Sequence, residues 1–285
     1  MMGKASIEQL QIKANDIRKD IIRMLEHAGS GHSAGPLGLA DIFTALYFDI
    51  ANIDPKNPGW DERDIILLSN GHCVPVQYAT MAHAGYFPRE ELMTLRQWGA
   101  RLQGHPERTK LPGLENTSGP LGSGLSQACG MALAMRMNNQ HHRWIYVVMG
   151  DGEQNEGNVW EAAMLASKYE LGNVIAITDR NNIQIDGPTE HVMPLEDLSA
   201  KWEAFGWHVL EVDGNNIQAF IDATAMARAI VNKPVMIIAQ TVPGMGVDFM
   251  EYDFHWHGKP PNHEEAKKAL HELRTLGGKI KSEHQ

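Results

Sequence analysis

The chain has 285 residues, enough to bury a full core, and its 43% hydrophobic and 21% charged content is that of a globular protein. A formal charge of −10 argues against a nucleic-acid binder, which needs a basic stripe, and no apolar run reaches the ~20 residues that cross a bilayer. The start MMGKASIEQLQ has no basic-then-apolar leader, and two cysteines, Cys73 and Cys129, each in an apolar helical pattern, exclude a disulfide framework; the expected address is cytoplasmic.

In chain order, Ser6 is expected to cap a helix to about His27, with Ile7, Leu10, Ala14, Ile17, Ile21 and Met24 at three- and four-residue steps. A glycine-rich stretch, GSGHSAGPLG (29–38), precedes a second apolar helix through Phe48, and 54–59 reads as a turn. DIILLS (64–69) is a buried strand that runs into the polar turn NGH at 70–72, and helices follow near 76–84 and 89–95. Residues 99–123 show no period and are rich in glycine and proline; such long loops are functional more often than idle. A small-residue helix, 125–137, then opens an alternation of strands 144–149, 173–178, 207–212 and 234–240 with helices 158–169, 194–205 and 216–231. Alternation of this kind implies right-handed βαβ units, hence the α/β class: a doubly wound parallel sheet with helices on both faces. The whole of 1–285 reads as one domain with an N-terminal helical extension and a C-terminal tail, 267–285, helical and then frayed.

Ligands of open α/β sheets bind beyond the carboxyl ends of the strands. The residues expected there are His72 after the first strand, Asp151, Gly152 and Glu156 after the second, Asp179, Asn181 and Asn182 after the third, and TVPGMG followed by His255-Trp256-His257-Gly258 after the last. The loops add His32 and His105, and of the fourteen histidines His32, His72, His105 and His257 each adjoin a glycine, which keeps a ring accessible. The most informative run is GDGEQNEG (150–157) with the later pair Asn181-Asn182. An acidic residue at one strand end and a carboxamide at the next can share an oxygen-loving cation, and the glycines let backbone approach a phosphate. An acidic chain needs a divalent cation between a carboxylate and a phosphate, so the pattern points to a magnesium–diphosphate site. His83, His141 and His142 are read as solvated or structural, His208 as a satisfied core histidine and Glu153 as solvated. Glu156 stands at a helix start, where a carboxylate gains from the dipole, so capping is its bland explanation. Zinc is disfavoured, since neither CxxC nor HExxH spacing occurs.

The stretch GDGEQNEGNVWEAAMLASKYELGNVIAITDRNNIQIDG resembles the thiamine diphosphate signature of transketolases. GHSAGPLG, LLSNGH, GHPE, TSGPLGSGLSQACGMALA and HWHGKPP resemble further transketolase motifs in the same order, over roughly residues 6 to 270. One departure is GHSAGP where many relatives have GHPGAP, next to His32. The resemblance implies the thiamine diphosphate-binding fold, and a transferase moving a two-carbon ketol unit from a ketose, a sugar phosphate by expectation, to an aldose. Whole transketolases carry two further domains, one of which holds the aminopyrimidine ring and its carboxylate. By resemblance this chain is the N-terminal subunit of a split enzyme, needing a C-terminal partner in a two-plus-two heterotetramer. Carried over, Asp151 and Asn181 by side chain and Ile183 by its carbonyl would bind Mg2+, with Ca2+ or Mn2+ as substitutes. His72, Gly152 and His257 would bind the diphosphate, while Gly119, Leu121 and Ile185 would line the thiazolium. His32, His105 and His257 would face the substrate, their ordinary pKa near 6.5 suited to proton donation and return. Glu156 would lie at a subunit interface.

Rival readings stay within and outside this chemistry. A 2-oxo acid dehydrogenase subunit shares the GDG-to-NN interval but lacks the GHPE and HWHGK histidine loops. A synthase joining pyruvate to glyceraldehyde phosphate shares several motifs. A split transketolase for a sulfo-sugar or a branched sugar phosphate keeps the reaction and changes the sugar. An NAD-binding Rossmann protein needs GxGxxG directly after a strand, and GSGLSQACG (122–130) follows a loop instead. A non-catalytic regulatory subunit would have no need of the histidine set.

Overall fold

The computed structural model describes residues 5–284. Helix α1 (Ile7–Ala28) begins at Ser6, whose hydroxyl accepts from the Gln9 N–H while Gln9 returns a bond to the Ser6 N–H, a reciprocal capping box. The second apolar helix is broken into α2 (Ala34–Gly38), α3 (Ala40–Ala45) and a single wide turn, Leu46–Ile50. Strand β1 (Ile65–Leu68) leads through a tight turn that holds Cys73 into α4 (Val74–Ala84). The helix expected at 89–95 is a 3-10 stretch, Arg89–Thr94. Then come α5 (Ser123–Met137), β2 (Ile145–Gly150), α6 (Gly157–Lys168) and β3 (Val174–Arg180). A two-residue ribbon, β4 (Ile183–Gln184) with β5 (Gly187–Pro188), precedes α7 (Thr189–Val192), a short helix outside the expected elements, and α8 (Leu198–Ala204), a shorter form of the helix expected at 194–205. The chain closes with β6 (His208–Asp213), α9 (Ile217–Ala229), β7 (Val235–Gln240) and α10 (His263–Glu283).

The main sheet runs β1-β2-β3-β7-β6 with every pair parallel, as alternation of strands and helices requires. Because strand side chains alternate, each strand feeds two cores. Ile66, Leu68, Tyr146, Val148, Ile175, Ile177, Val235 and Ile237 join α1, α3, α4, α9 and α10 on one face. Ile65, Leu67, Ile145, Val147, Met149, Val174, Ala176, Met236 and Ile238 join α5, α6 and α8 on the other. This two-sided burial is why the strands read as unbroken apolar runs rather than alternating ones. No helix among the described residues is long and apolar enough to cross a membrane.

Two local expectations are corrected and one is met. The C-terminal helix starts earlier than 267, at a capping box of Asn262 and Glu265, and runs to Glu283 without fraying; Gln285 lies outside the described residues. It persists because Ala266, Ala269, Leu273 and Ile280 are buried and the Leu273 carbonyl accepts from Asn15 Nδ2 of α1 at 2.9 Å. His208 is exposed, since β6 is the sheet edge. His83 is structural as expected: its ring meets Asp20 at 2.9 Å inside the α1–α4 contact.

The loop carrying His32 is wedged between the exits of β1 and β7. A Cβ on Gly38 would stand 2.8 Å from the Val242 carbonyl oxygen, and one on Gly35 2.7 Å from Cys73 Sγ, so only glycine permits this approach. Ser33 Oγ donates to the Lys259 carbonyl at 2.6 Å and Ala34 O accepts from Gly244 N at 2.9 Å, which ties this loop to the one carrying His257.

Asp20 gives the α1 face a pH signature. Burial raises its carboxyl, but hydrogen bonds from His83 and Arg89 outweigh this and hold it at about 2. A carboxylate so depressed contributes stability that is full above its unfolded pKa near 3.9 and is lost as pH falls toward 2. Asp20→Asn is expected to cost about 2 kcal/mol at pH 7, discounted because Arg89 is half exposed, and to flatten the fall in melting temperature between about pH 4 and 2. Thermal melts across that range check both.

Candidate functional site

One cavity of about 470 Å³ opens at the carboxyl ends of β1, β2 and β3. His32, His72, His105, Gly119, Leu121, Asp151, Gly152, Asn181, Ile183, Ile185 and His257 all line it, so residues from both ends of the chain meet there; of the residues given a role by resemblance Glu156 stays outside, and Asp179, Asn182, His255, Trp256 and Gly258, also expected near the strand ends, do not line it. The parallel sheet does this work: with every strand pointing the same way, the turns after β1, β2 and β3 leave from one edge.

The acidic floor is built by backbone geometry. Asp151 follows β2 and is 2% exposed. Its Oδ1 accepts from the Gly152 N–H at 2.6 Å, and its Oδ2 from the Asn182 N–H at 2.8 Å and Thr189 Oγ1 at 3.3 Å. The Asn182 bond exists because that residue sits at φ +63°, a left-handed turn that asparagine tolerates better than most residues. Burial pushes the Asp151 carboxyl up, and Arg180 with the two N–H groups pulls the other way. Asn181 is fixed at both ends: Nδ2 donates to Asp179 Oδ2 at 2.8 Å and Oδ1 accepts from the Ile183 N–H at 3.1 Å. Asp179, fully buried and also bonded to Thr241, has its carboxyl pushed by burial up to about 7.

Above this floor the histidine rings cluster. Ring centroids of His32 and His72 are 4.9 Å apart, those of His72 and His257 5.2 Å and those of His32 and His257 5.6 Å. Burial, then His257, Arg96 and His105, lowers the His32 pKa to about 4. Burial dominates the lowering of His72, His105 and His257 as well. The expectation of rings titrating near 6.5 is therefore corrected: at neutral pH all four are uncharged, each with one N–H to donate and one lone pair to accept.

Glu153, expected to be solvated, is 2% exposed. Its carboxylate accepts from Ser69 Oγ, from the Gly122 N–H at 2.6 Å and from the Gly150 N–H at 2.9 Å. It thus clamps the end of β1, the start of α5 and the end of β2, next to the Gly119–Leu121 wall. Gln154 was missed too; it is buried, donating to Thr178 Oγ1 and accepting from Trp202 Nε1, both at 2.8 Å. Neither has a periodic signal, because both lie in a turn between strand and helix. Glu156 is exposed at the N-cap of α6 and makes no side-chain cap bond, so capping does not explain it.

The cavity fits a cation-bound diphosphate cofactor. His32 Nδ1, His257 Nδ1 and Asn70 Oδ1 are buried with no partner among the described residues, on side chains that line the cavity, a polar shortfall that a bound group would fill. A Cβ on Gly152 would stand 2.8 Å from the Gln184 side chain, so glycine lets Gln184 pack close against this turn in the cavity wall. No group of three or more His, Cys, Asp or Glu side chains among the described residues could hold a metal; the donors here are one carboxylate, one carboxamide and a carbonyl, a set for a hard cation.

The arrangement recurs in known proteins. The family model for the transketolase thiamine diphosphate binding domain matches residues 9–277. The 6-deoxy-6-sulfo-D-fructose transketolase subunit SqwG of Clostridium sp. is 44% identical, over 94% of this chain and 97% of that protein. An apulose-4-phosphate transketolase subunit of Phocaeicola vulgatus is 39% identical over 98% of each. Transketolase 2 of Escherichia coli is 39% identical, but this chain spans only 40% of it. A solved transketolase from Pichia stipitis superposes with a TM-score of 0.88 at 35% identity, over 96% of this chain and 41% of that one. With the matched segment covering both the sheet and its cavity, the chain belongs to the transketolase family, as its thiamine diphosphate-binding domain.

Proposed function

We propose that this chain is the thiamine diphosphate-binding subunit of a two-chain, Mg2+-dependent transketolase, carrying a two-carbon ketol unit from a ketose to an aldose. The observation that carries the reading is the single cavity joining the Asp151–Asn181 floor to four uncharged histidines. Relatives of matching length that are named as subunits support the two-chain form. On this reading the whole chain is one diphosphate-binding domain, and the pyrimidine-binding and C-terminal domains belong to a partner, two copies of each forming the enzyme.

Asp151, Asn181 and the Ile183 carbonyl hold the cation; His72, Gly152 and His257 hold the diphosphate; Gly119, Leu121 and Ile185 line the thiazolium. The cofactor, when bound, supplies an acceptor for the carbanion left by breaking a carbon–carbon bond of the ketose. The chain's own groups do the rest. His32, His105 and His257, uncharged, donate hydrogen bonds to substrate hydroxyls and to an oxygen as it gains negative charge. A neutral ring does this without attracting the cofactor's phosphates away from the cation. Leu121 keeps water from one wall. Glu156, exposed beside the cavity, faces the partner. The sugar is a ketose phosphate or, in a second reading favoured by the two full-length relatives, a sulfo-sugar or branched sugar phosphate; donor profiling with the assembled pair separates these.

Three outcomes are expected. Ketol transfer by the purified chain alone is nil and appears when the partner is added; turnover without a partner would refute the two-chain reading. Asp151→Asn weakens cation-dependent thiamine diphosphate binding at least about 10-fold, measured by calorimetric titration with Mg2+. In the assembled enzyme His105→Ala and His257→Ala each lower kcat by about 100-fold, and unchanged turnover would remove them from the reaction.

A further inference from the structure

The resemblance gives no role to Arg180, yet its guanidinium bridges two carboxylates at the site. Its side chain closes β3 and is only 10% exposed. One nitrogen, Nη1, lies 3.1 Å from Asp151 Oδ2; the other, Nη2, lies 2.6 Å from Glu190 Oε1. The Glu190 carboxylate also accepts from the N–H groups of Leu195 and Glu196, at 3.2 and 3.3 Å, which anchors it to the segment after α7. A fixed guanidinium therefore touches the one carboxylate that a cation would use.

Two consequences follow from charge alone. Asp151, nearly buried, would be an uncompensated anion in the cation-free chain, and Arg180 removes that cost. The same positive charge then opposes a divalent cation arriving at Asp151, because like charges repel and a buried site screens them less than water does. Other carboxyl groups stand near the site: Asp186 and Glu153 line the cavity and Asp179 bonds Asn181, but none of them has a side-chain hydrogen bond to the Arg180 guanidinium among the described residues. Glu190 does, and draws part of the guanidinium's charge toward itself.

Resting on the cation site proposed above, we infer that Arg180 is a built-in counter-charge that competes with the metal for Asp151, so that the cation is held tightly only when a diphosphate arrives with it. Glu190 sets how strongly the competition acts. Loading is then joint: the anionic cofactor supplies the negative charge that Arg180 has already taken from the site.

The test is titration of the full chain with Mn2+, with and without thiamine diphosphate, read by calorimetry and by thermal melting in EDTA. Without the cofactor, Arg180→Gln is expected to bind Mn2+ about 10-fold more tightly than the unaltered chain and to melt lower in EDTA. Arg180→Lys, which keeps the charge, should stay within about 3-fold of the original affinity. Glu190→Gln should move the other way, weakening Mn2+ binding, because the guanidinium is left wholly to Asp151. A merely structural Arg180 would shift both neutral variants in one direction, and that result overturns the inference, as does unchanged affinity in Arg180→Gln. Should the unaltered chain show no Mn2+ binding even with saturating thiamine diphosphate, the cation site itself fails and this inference with it; normal joint binding with an indifferent Arg180→Gln sinks the counter-charge alone.

Discussion

A carboxylate buried at the tip of a parallel strand is the constraint on which this site turns. Asp151 has lost nearly all contact with water, and the chain answers with donors from four directions: its own next N–H, a left-handed asparagine, a threonine of the following helix and an arginine. Each donor comes from a different part of the turn between β3 and α7, or from the turn after β2. Satisfying one oxygen pair therefore fixes two loops relative to each other, and the position of Asn181 and Ile183 follows.

The histidine cluster obeys the same logic with the opposite sign. Three imidazoles, His32, His72 and His257, packed ring against ring cannot all carry charge, and burial makes even one charge expensive. The site thereby gains many hydrogen-bond donors at no cost in net charge. Positive charge is concentrated instead in the guanidinium of Arg180 at the floor and of Arg96 near His32 and His105, where it lowers the rings further.

Much of this was legible in sequence because the signals are local or periodic. Unbroken apolar strands, each with glycine and polar residues just beyond, pointed to the parallel sheet and the edge from which the site residues emerge. Among the residues given a role by resemblance, only Glu156 is missing from the cavity lining. What escaped depends on distance. Glu153 looks like any surface glutamate within GDGEQNEG, and its burial is decided by Ser69 and Gly122, which no spacing rule connects to it. The lowered histidine pKa values come from the packing of four loops together. The shortening of the helix expected at 194–205 to α8, which starts at its Asp197 cap, and the early start of α10 at Asn262 were settled by caps that compete with a period.

The Gln154 bridge carries one more consequence. Three indole rings, Trp160, Trp202 and Trp207, lie in ring contact as a chain, Trp202 in the middle, and Gln154 accepts from one of them while its carbonyl accepts from another. The residue that organises them is three positions from Asp151. Two of the chain's seven indoles are thereby hydrogen-bonded to the turn on which its chemistry would rest, so a shift of that turn would reach part of the ultraviolet emission.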